Sequence, residues 1–186
     1  VGAPFLYLHK INKKKFKKPR GTLVFPSKST HNKSRSVNNE ELIKIAEKSF
    51  RGPYSICVYY LDLNKDWSAF KKRGWKILSC GEKKNKNFLF NFYKYISEHK
   101  NIICTSINTA AFYSMYMRKN FKFTMNNFDN PNKKKIVYQN KNDDDLQIKT
   151  RIFFEKKYPG FISNKLSNLQ RYNLSKIELG FDSIKK

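Results

Sequence analysis

Two hydroxyl-rich segments of the sequence have the composition of a phosphate site that works without a metal. The first runs from Ser27 to His31 and follows an apolar run that Pro26 stops. The second runs from Thr105 to Thr109, follows another apolar run and opens directly into a helical pattern. Hydroxyls and main-chain amides at a loop or a helix start are the usual way to bind phosphate without a metal. With the glycine that ends the third apolar run, the candidate binding residues are Ser27, Lys28, Ser29, Thr30, His31, Gly81, Thr105, Ser106, Asn108 and Thr109.

Each candidate also has an ordinary structural explanation. For residues 105–109 the alternative is a purely structural role as helix caps, because Ser, Thr and Asn are the preferred capping residues. Residues 27–31 can be a solvated loop with a surface histidine, and Gly81 can simply permit a turn. The sequence contains no GxGxxG fingerprint and no P-loop, which argues against dinucleotide binding and ATP hydrolysis of those types.

A general base is harder to find than a binding site. The predicted strand ends offer Asp62, Asp66 and Glu82, none of which is paired with a histidine at a suggestive spacing. The sequence has no GxSxG elbow and no persuasive cysteine nucleophile beside a histidine. The catalytic residues stay unknown, and we expect the base of any enzymatic activity to lie outside this chain.

The cysteines and histidines predict neither a metal site nor disulfides. The three cysteines form no CxxC pair, and each sits in an apolar stretch that reads as a strand, which favours buried, reduced thiols in a cytoplasmic protein. The histidines lack ligand spacing to a cysteine or to one another, so no metal is expected. These residues are Cys57, Cys80, Cys104, His9, His31 and His99.

The elements that must position the candidates alternate between strand and helix about five times. Short apolar runs predict strands, and amphipathic patterns between them predict helices, with short connections throughout. Such alternation is typical of a parallel sheet with helices on both faces, so we predict an α/β, Rossmann-like fold with extra C-terminal helices. The predicted strands are residues 22–25, 55–61, 75–80, 102–105 and 121–124; the predicted helices begin near residues 38, 66, 88, 108, 143 and 165.

Parallel strands send their carboxyl ends to one edge of the sheet, where ligands of this fold class bind. The candidate segments all follow predicted strands, so we expect them at that edge. We divide the chain into a linker or domain entry at residues 1–20, a Rossmann-like binding domain at residues 21–140 and C-terminal helices at residues 141–186 that pack on it. Residues 126–142 are predicted to form a polar loop.

The charge of the chain needs interpretation before it names a partner. The 186 residues carry 39 Lys and Arg against 14 Asp and Glu, a net charge of +25, yet only seven of the cations are Arg. Proteins selected to grip phosphates or bases favour Arg, so a Lys-rich, Asn-rich chain favours a coding bias spread over solvated faces. An anionic partner remains the alternative: a nucleotide, a nucleic acid or an acidic membrane surface. No apolar run approaches the roughly 18 residues that cross a bilayer.

Several phrases of the sequence resemble the C-terminal half of bacterial glycosyltransferase-like proteins from capsule, lipopolysaccharide and surface-polysaccharide clusters. The phrases are GAPFLY at residues 2–7, GTLVFPSKSTH at residues 21–31 and NFLFNFY at residues 87–93. A further similar stretch runs from SEHK at residues 97–100 through Thr105-Ser106 to AFY at residues 111–113. The resemblance covers roughly residues 2–125.

This resemblance implies a GT-B arrangement, in which two Rossmann-like domains face a cleft and the C-terminal one holds the nucleotide-sugar. Residues 105–109 would then stabilise the departing nucleotide phosphate, residues 27–31 would hold phosphate or sugar hydroxyls, and the backbone at Gly81 would approach the base or ribose. The nucleotide-sugar is a substrate and no cofactor is implied. The acceptor, a glycan or a lipid-linked sugar, and the general base would belong to an N-terminal domain. The chain starts with Val1, so we expect a fragment.

The resemblance also implies a cytoplasmic protein, with the basic run from Lys13 to Lys18 as a candidate contact with the anionic inner face of a membrane. Two other classes of function stay open on the sequence. One is a non-catalytic α/β domain. The other is a basic nucleic-acid-binding protein, which the scarcity of Arg and the lack of a recognised binding motif make the weaker alternative.

Overall fold

A computed structural model describes residues 4–12, 18–26, 39–124, 149–150 and 152–181 of the chain. These residues form an α/β structure with a five-stranded, all-parallel sheet covered by helices. The predicted fold class is therefore confirmed. The strands are β1 Thr22–Phe25, β2 Tyr54–Val58, β3 Lys76–Ser79, β4 Asn101–Cys104 and β5 Asn120–Phe123. The helices are α1 Pro4–Asn12, α2 Asn39–Ser49, α3 Ser68–Lys72, α4 Phe88–Glu98, α5 Thr109–Tyr116, α6 at residues 152–157 and α7 Asn168–Glu178.

The sheet has the strand order β3-β2-β1-β4-β5. In the parallel pairing of β1 with β4, Val24 lies opposite Ile103 and Phe25 opposite Cys104. The chain builds outward from β1 to β3 on one side, then crosses back and builds outward through β4 to β5 on the other. This reversal is the Rossmann-like arrangement, and its centre lies between β1 and β4.

Alternate residues of each strand supply two separate cores, one on each face of the sheet. Val24 and Ile103 point to the face covered by α2 and α3, where Phe70 is completely buried. Leu23 and Ile102 point to the opposite face, which α1, α4, α5 and α7 cover. Strands that are buried on both faces must be apolar almost throughout, which is why they appear in the sequence as continuous apolar runs.

A network of buried polar side chains joins the amino ends of the strands. The Asn101 amide of β4 donates to the Gly21 carbonyl and to the Thr22 hydroxyl of β1, each at 3.2 Å. The Asn120 amide of β5 donates in turn to the Asn101 side-chain oxygen at 3.0 Å. Since each buried polar atom gains a partner, the network fixes the strand ends at little desolvation cost.

Residues 4–12 differ from the linker that the sequence predicts for residues 1–20. They form α1, and its Phe5 is completely buried and stacks on Tyr113 of α5 with ring centroids 3.6 Å apart. The short apolar run at the start of the chain is therefore a core element. Of the basic run, Lys18 is exposed, and residues 13–17 lie outside the described residues.

One further predicted boundary differs from the structure, and two predicted segments lie outside the described residues. The second strand ends at Val58, earlier than predicted, because a short 3-10 helix at Tyr60–Asp62 follows it. The predicted polar loop at residues 126–142 and the acidic helix start at residues 143–145 lie outside the described residues.

Near the C-terminus, Ser167 is the N-cap of α7 and forms a reciprocal capping box. The helix packs on α5, with Tyr172 stacked on Tyr116 at 5.6 Å.

Candidate functional site at the carboxyl edge of the sheet

The strand order places a topological switch point between the carboxyl ends of β1 and β4, and we refer to this region as the crevice. After β1 the chain proceeds to α2 on one face, and after β4 it proceeds to α5 on the other. The helices that follow β1 and β4 therefore lie on opposite faces of the sheet. A parallel α/β sheet opens at this switch point, and ligands of the fold class bind there.

A tight polar loop leads from β4 into α5 at this crevice. The Thr105 N–H donates to the Phe25 carbonyl of β1 at 3.1 Å, which ties the loop to the neighbouring strand. Asn108 is the N-cap of α5, and its side-chain oxygen accepts a hydrogen bond from the Ala111 N–H at 3.1 Å. Its amide group donates to the Ser106 hydroxyl at 3.1 Å. The loop is thus held in one conformation by its own side chains.

The capping geometry determines what this loop can do. The sequence left open whether residues 105–109 act as caps or as a phosphate site, and Asn108 does act as the cap. Capping does not exclude phosphate binding, because the positive end of the α5 dipole still faces the crevice. Ser106 and Asn108 are half-buried and Thr109 is exposed, so a ligand can reach these side chains from solvent.

Thr124 adds a hydroxyl that the candidate list did not contain. It directly follows β5, is 5% exposed, and its N–H donates to the Cys104 carbonyl at 3.0 Å. Its Oγ1 is buried and has no hydrogen-bond partner among the described residues. Thr105 directly follows β4 and is also buried. Since Cys104 and Phe123 are paired in the sheet, the two threonines stand side by side at its edge.

The sequence does contain a pattern that indicates Thr124. A hydroxyl residue ends the fifth apolar run, just as Thr105 ends the fourth. A search for hydroxyl residues at the last position of every predicted strand would have found both. Without the strand order, nothing indicated that the two strand ends are neighbours.

The other predicted site residues fall into two groups. Residues 27–31 lie outside the described residues, and Pro26, the last described residue after β1, is buried. Gly81 follows β3, the outermost strand on its side of the sheet. Neighbouring strands are about 4.8 Å apart, so Gly81 lies roughly 14 Å from the end of β4. The structure therefore joins Thr105, Ser106, Asn108 and Thr109 and separates them from Gly81.

Gly81 has a backbone conformation that favours glycine. Its φ is +84°, in the left-handed region, and its N–H donates to the Ser79 hydroxyl at 3.2 Å. A Cβ built there would meet no heavy atom within 4 Å. The turn itself therefore requires the glycine, and its backbone is open to an approaching ligand.

The carboxylates considered as bases have structural partners or are remote. The buried Asp62 carboxylate pairs with Lys65 at 2.7 Å. The Asp66 carboxylate accepts the Ser68 N–H at 2.8 Å, and this hydrogen bond lowers the pKa of Asp66. Glu82 is exposed and follows the outer strand β3. Asp62 and Asp66 thus serve the connection between β2 and β3.

The charge near this edge is positive on the side of β3. Lys83, Lys84 and Lys86 are all exposed on the connection between β3 and α4. A group of exposed cations attracts anions over roughly a Debye length, about 8 Å at physiological salt, without choosing among them. These lysines are therefore suited to attracting an anionic ligand and not to recognising it.

The structure supplies two further observations on metals and membranes. Among the described residues, no three His, Cys, Asp or Glu side chains come together as a metal-binding group. Within the same residues, none of the helices has both the length and the apolar character that a bilayer crossing requires.

The fold and the site together define an α/β protein with a Rossmann-like parallel sheet and a polar, capped loop at its switch point. Comparisons with protein-family models, with curated proteins and with solved structures found no match to this chain.

Proposed function

We propose that this chain binds a nucleotide-sugar in the crevice between β1 and β4, as the donor-binding half of a metal-independent glycosyltransferase. The supporting observation is the loop between β4 and α5, which starts at Thr105 and is capped by Asn108 at the point where the strand order reverses. Thr124 stands next to Thr105 on the outer side of β4. Hydroxyls and a helix N-terminus suit a phosphate oxygen. The resemblance to surface-polysaccharide glycosyltransferases supplies the sugar and the acceptor in this proposal.

The proposed chemistry follows from the needs of the leaving group. When the bond between sugar and phosphate breaks, negative charge develops on the departing nucleotide phosphate. Donors fixed in advance stabilise such charge best, because they need not reorganise during the reaction. The Asn108 cap fixes the loop between β4 and α5 before a ligand arrives. The acceptor and the general base would come from outside this chain.

The substitution Asn108→Asp tests the phosphate site with little effect on the fold. Aspartate caps a helix as well as asparagine, so the hydrogen bond from Ala111 is kept. Its negative charge would face the ligand phosphate at the helix start. In a thermal-shift panel of CMP, UDP, GDP and their sugars, we expect at least one compound to stabilise the native protein by several degrees. Asn108→Asp should abolish most of that stabilisation.

The control is Ser167→Asp at the N-cap of α7, the same kind of change at the start of a different helix. It should leave the nucleotide effect intact. If no compound of the panel stabilises the native protein, the proposal of a donor site is wrong. If both variants respond like the native protein, the ligand does not bind at the start of α5.

The substitution Thr124→Val tests whether the site extends along the sheet edge from β4 to the outer strand β5. Valine matches threonine in shape and removes only the hydroxyl, which has no hydrogen-bond partner among the described residues. We therefore expect thermal stability without ligand to be unchanged or higher, since an unsatisfied buried hydroxyl costs roughly 1–3 kcal/mol. Nucleotide affinity, measured by calorimetry, should fall several-fold. An unchanged affinity would remove Thr124 from the site.

A further inference from the structure

Two of the three cysteines bring their sulfur atoms together in the core. Cys57 belongs to β2 and Cys80 directly follows β3, and their Sγ atoms are 3.6 Å apart. In the pairing of these strands Cys57 lies opposite Leu78, so Cys80 is two positions further along the neighbouring strand. Both side chains therefore point to the same face of the sheet. The two thiols are reduced in the structure and are only 8% and 6% exposed.

We propose that Cys57 and Cys80 form a reversible disulfide when the protein meets a peroxide, and that this bond fastens the outer strand β3 to β2. A disulfide needs sulfur atoms about 2.05 Å apart, so the two must approach by roughly 1.6 Å. Diagonal neighbours on adjacent strands have Cα atoms roughly 7–8 Å apart, at or beyond the reach of a disulfide, so the backbone of β3 must move towards β2. β3 is the outermost strand on its side of the sheet, and the residues from Ile77 to Ser79 are only partly buried. An edge strand can move by this amount more easily than a central one, because it has one neighbour instead of two.

The reaction balances with hydrogen peroxide as the only oxidant. One thiolate attacks an oxygen of the peroxide, the O–O bond breaks, and the sulfur becomes a sulfenic acid while one water is released. The second thiol then attacks that sulfur, the S–S bond forms, and the hydroxyl leaves as a second water. Two thiols are oxidised by two electrons and one peroxide is reduced. Because the second sulfur is already adjacent, the sulfenic acid is captured before it oxidises further.

The environment of the two cysteines indicates a disulfide that forms slowly, and not a catalytic dithiol. The contact with the Cys80 sulfur and burial in the sheet raise the pKa of the Cys57 thiol well above its usual range. Only the thiolate attacks a peroxide, so oxidation should be slow at neutral pH and faster in alkaline solution. The third cysteine, Cys104, lies in the inner strand β4 and is completely buried. Burial raises its pKa as well, and its partners across the sheet are Phe25 and Phe123, not a cysteine.

The disulfide would restrain the carboxyl edge of the sheet. Cys80 directly precedes Gly81, so the disulfide would fix the start of the connection that carries Lys83 and Lys84. It would also close a loop across the 23 positions that separate the two cysteines. Closing such a loop restricts the unfolded chain, and we expect the melting temperature to rise by about 5–10 °C.

The test is oxidation of the native full chain with hydrogen peroxide at mildly alkaline pH, followed by mass spectrometry without reduction. We expect the intact mass to fall by the two hydrogens of one disulfide. Peptide mapping should join the Cys57 peptide to the Cys80 peptide, and a thiol reductant should reverse both changes. The unfolded chain in guanidinium, oxidised in parallel, is the reference for unselective pairing.

Three single variants complete the test. Cys104→Ala should still form the bond, whereas Cys57→Ala and Cys80→Ala should not lose the two hydrogens. Peptide mapping of the native protein does not depend on whether these variants fold. The proposal is overturned if the folded protein keeps all three thiols under conditions that oxidise the unfolded chain. It is also overturned if the main crosslink involves Cys104, or if sulfinic acid forms in place of the disulfide. None of these outcomes depends on nucleotide binding.

Discussion

At the scale of single residues, Gly21 is the described glycine at which an added side chain would clash most severely. Its φ is +69°, and a Cβ at this position would lie 2.1 Å from the Pro53 carbonyl oxygen. That oxygen also accepts the Thr22 N–H at 2.9 Å, where β1 begins. A side chain at residue 21 would therefore push apart the turn before β1 and the entry to β2.

Gly21→Ala and Gly81→Ala form a matched pair that separates backbone strain from steric clash. Both glycines have a left-handed φ, which costs alanine about 1–2 kcal/mol. Only Gly21 adds a clash with a backbone carbonyl and a disturbed hydrogen bond, so its variant should lose more than about 3 kcal/mol of unfolding free energy. Urea denaturation of both variants measures the difference. Equal losses would show that the close contact with Pro53 does not constrain the fold.

His99 connects the end of α4 with β2 inside the protein. Its Nδ1 lies 2.7 Å from the Tyr95 carbonyl oxygen, which can only accept, so Nδ1 carries the proton. In the neutral ring Nε2 then accepts from the Ser55 hydroxyl at 2.9 Å. Burial is the main cause that lowers the pKa of His99, against the opposing effects of the Tyr95 hydrogen bond and the Glu98 charge. The charges of Lys119 and Lys76 contribute smaller effects that also lower it.

This pKa predicts a loss of stability on acidification. Because the pKa is lower in the folded state, the unfolded chain takes up a proton that the folded chain refuses. The unfolding free energy should therefore fall as the pH drops below about 7, the ordinary histidine range. Lys119, whose pKa burial lowers to about 8, stays charged throughout that window. In His99→Gln this part of the pH dependence should disappear. Parallel urea titrations between neutral and acidic pH measure it, and identical slopes for both proteins would contradict the assignment.

Residue types alone predicted part of the site. Asn108 was placed at a helix start because Asn is a preferred cap, and it is the N-cap of α5. Thr124 was missed, since its importance depends on its being the neighbour of Thr105 across two strands. Local sequence determines a cap, whereas a pair of strand ends requires the long-range pairing of the sheet.

At the scale of elements, α1 differs most clearly from what the sequence predicts. Its apolar residues are few and are followed by a basic run, so the segment resembles an entry to the domain. A helix of nine residues is marginal by itself and gains its stability from packing. Phe5 provides that packing, since it stacks on Tyr113 and meets Tyr93 edge-on at 5.4 Å.

Phe5→Ala should therefore destabilise the protein strongly. Truncation of a fully buried phenylalanine costs about 3–5 kcal/mol, because it removes apolar contact and leaves a cavity. Tyr7 is the control on the same helix. It is 66% exposed, and Tyr7→Ala should change stability by no more than about 0.5 kcal/mol. The comparison is made by chemical denaturation, and similar small losses for both variants would mean that α1 is not part of the core.

At the scale of the whole molecule, the strand order β3-β2-β1-β4-β5 contributes most to the functional argument. The alternation of strands and helices predicted a parallel sheet, since continuous apolar runs require burial on both faces. It did not predict which strands are neighbours, and the crevice depends on that order. The order places Thr124 one strand outward from β4 and Gly81 three strands from β4 on the opposite side.

The net charge of +25 influences how any ligand must be measured. A Lys-rich surface attracts every anion at low ionic strength, including nucleic acids and nucleotides that bind nowhere in particular. Salt near physiological concentration screens exposed charges beyond about 8 Å. Binding that survives in such salt therefore reports a formed site.

The most direct test of the proposed site is an NMR titration of the isotope-labelled chain with UDP, GDP and CMP in physiological salt. For at least one nucleotide, we predict saturable shifts of the amide signals from Thr105 to Ala111 and at Thr124, and the loss of these shifts in Asn108→Asp. The account would be contradicted if no nucleotide shifts these signals. Saturable shifts confined to the amino ends of the strands would contradict it equally.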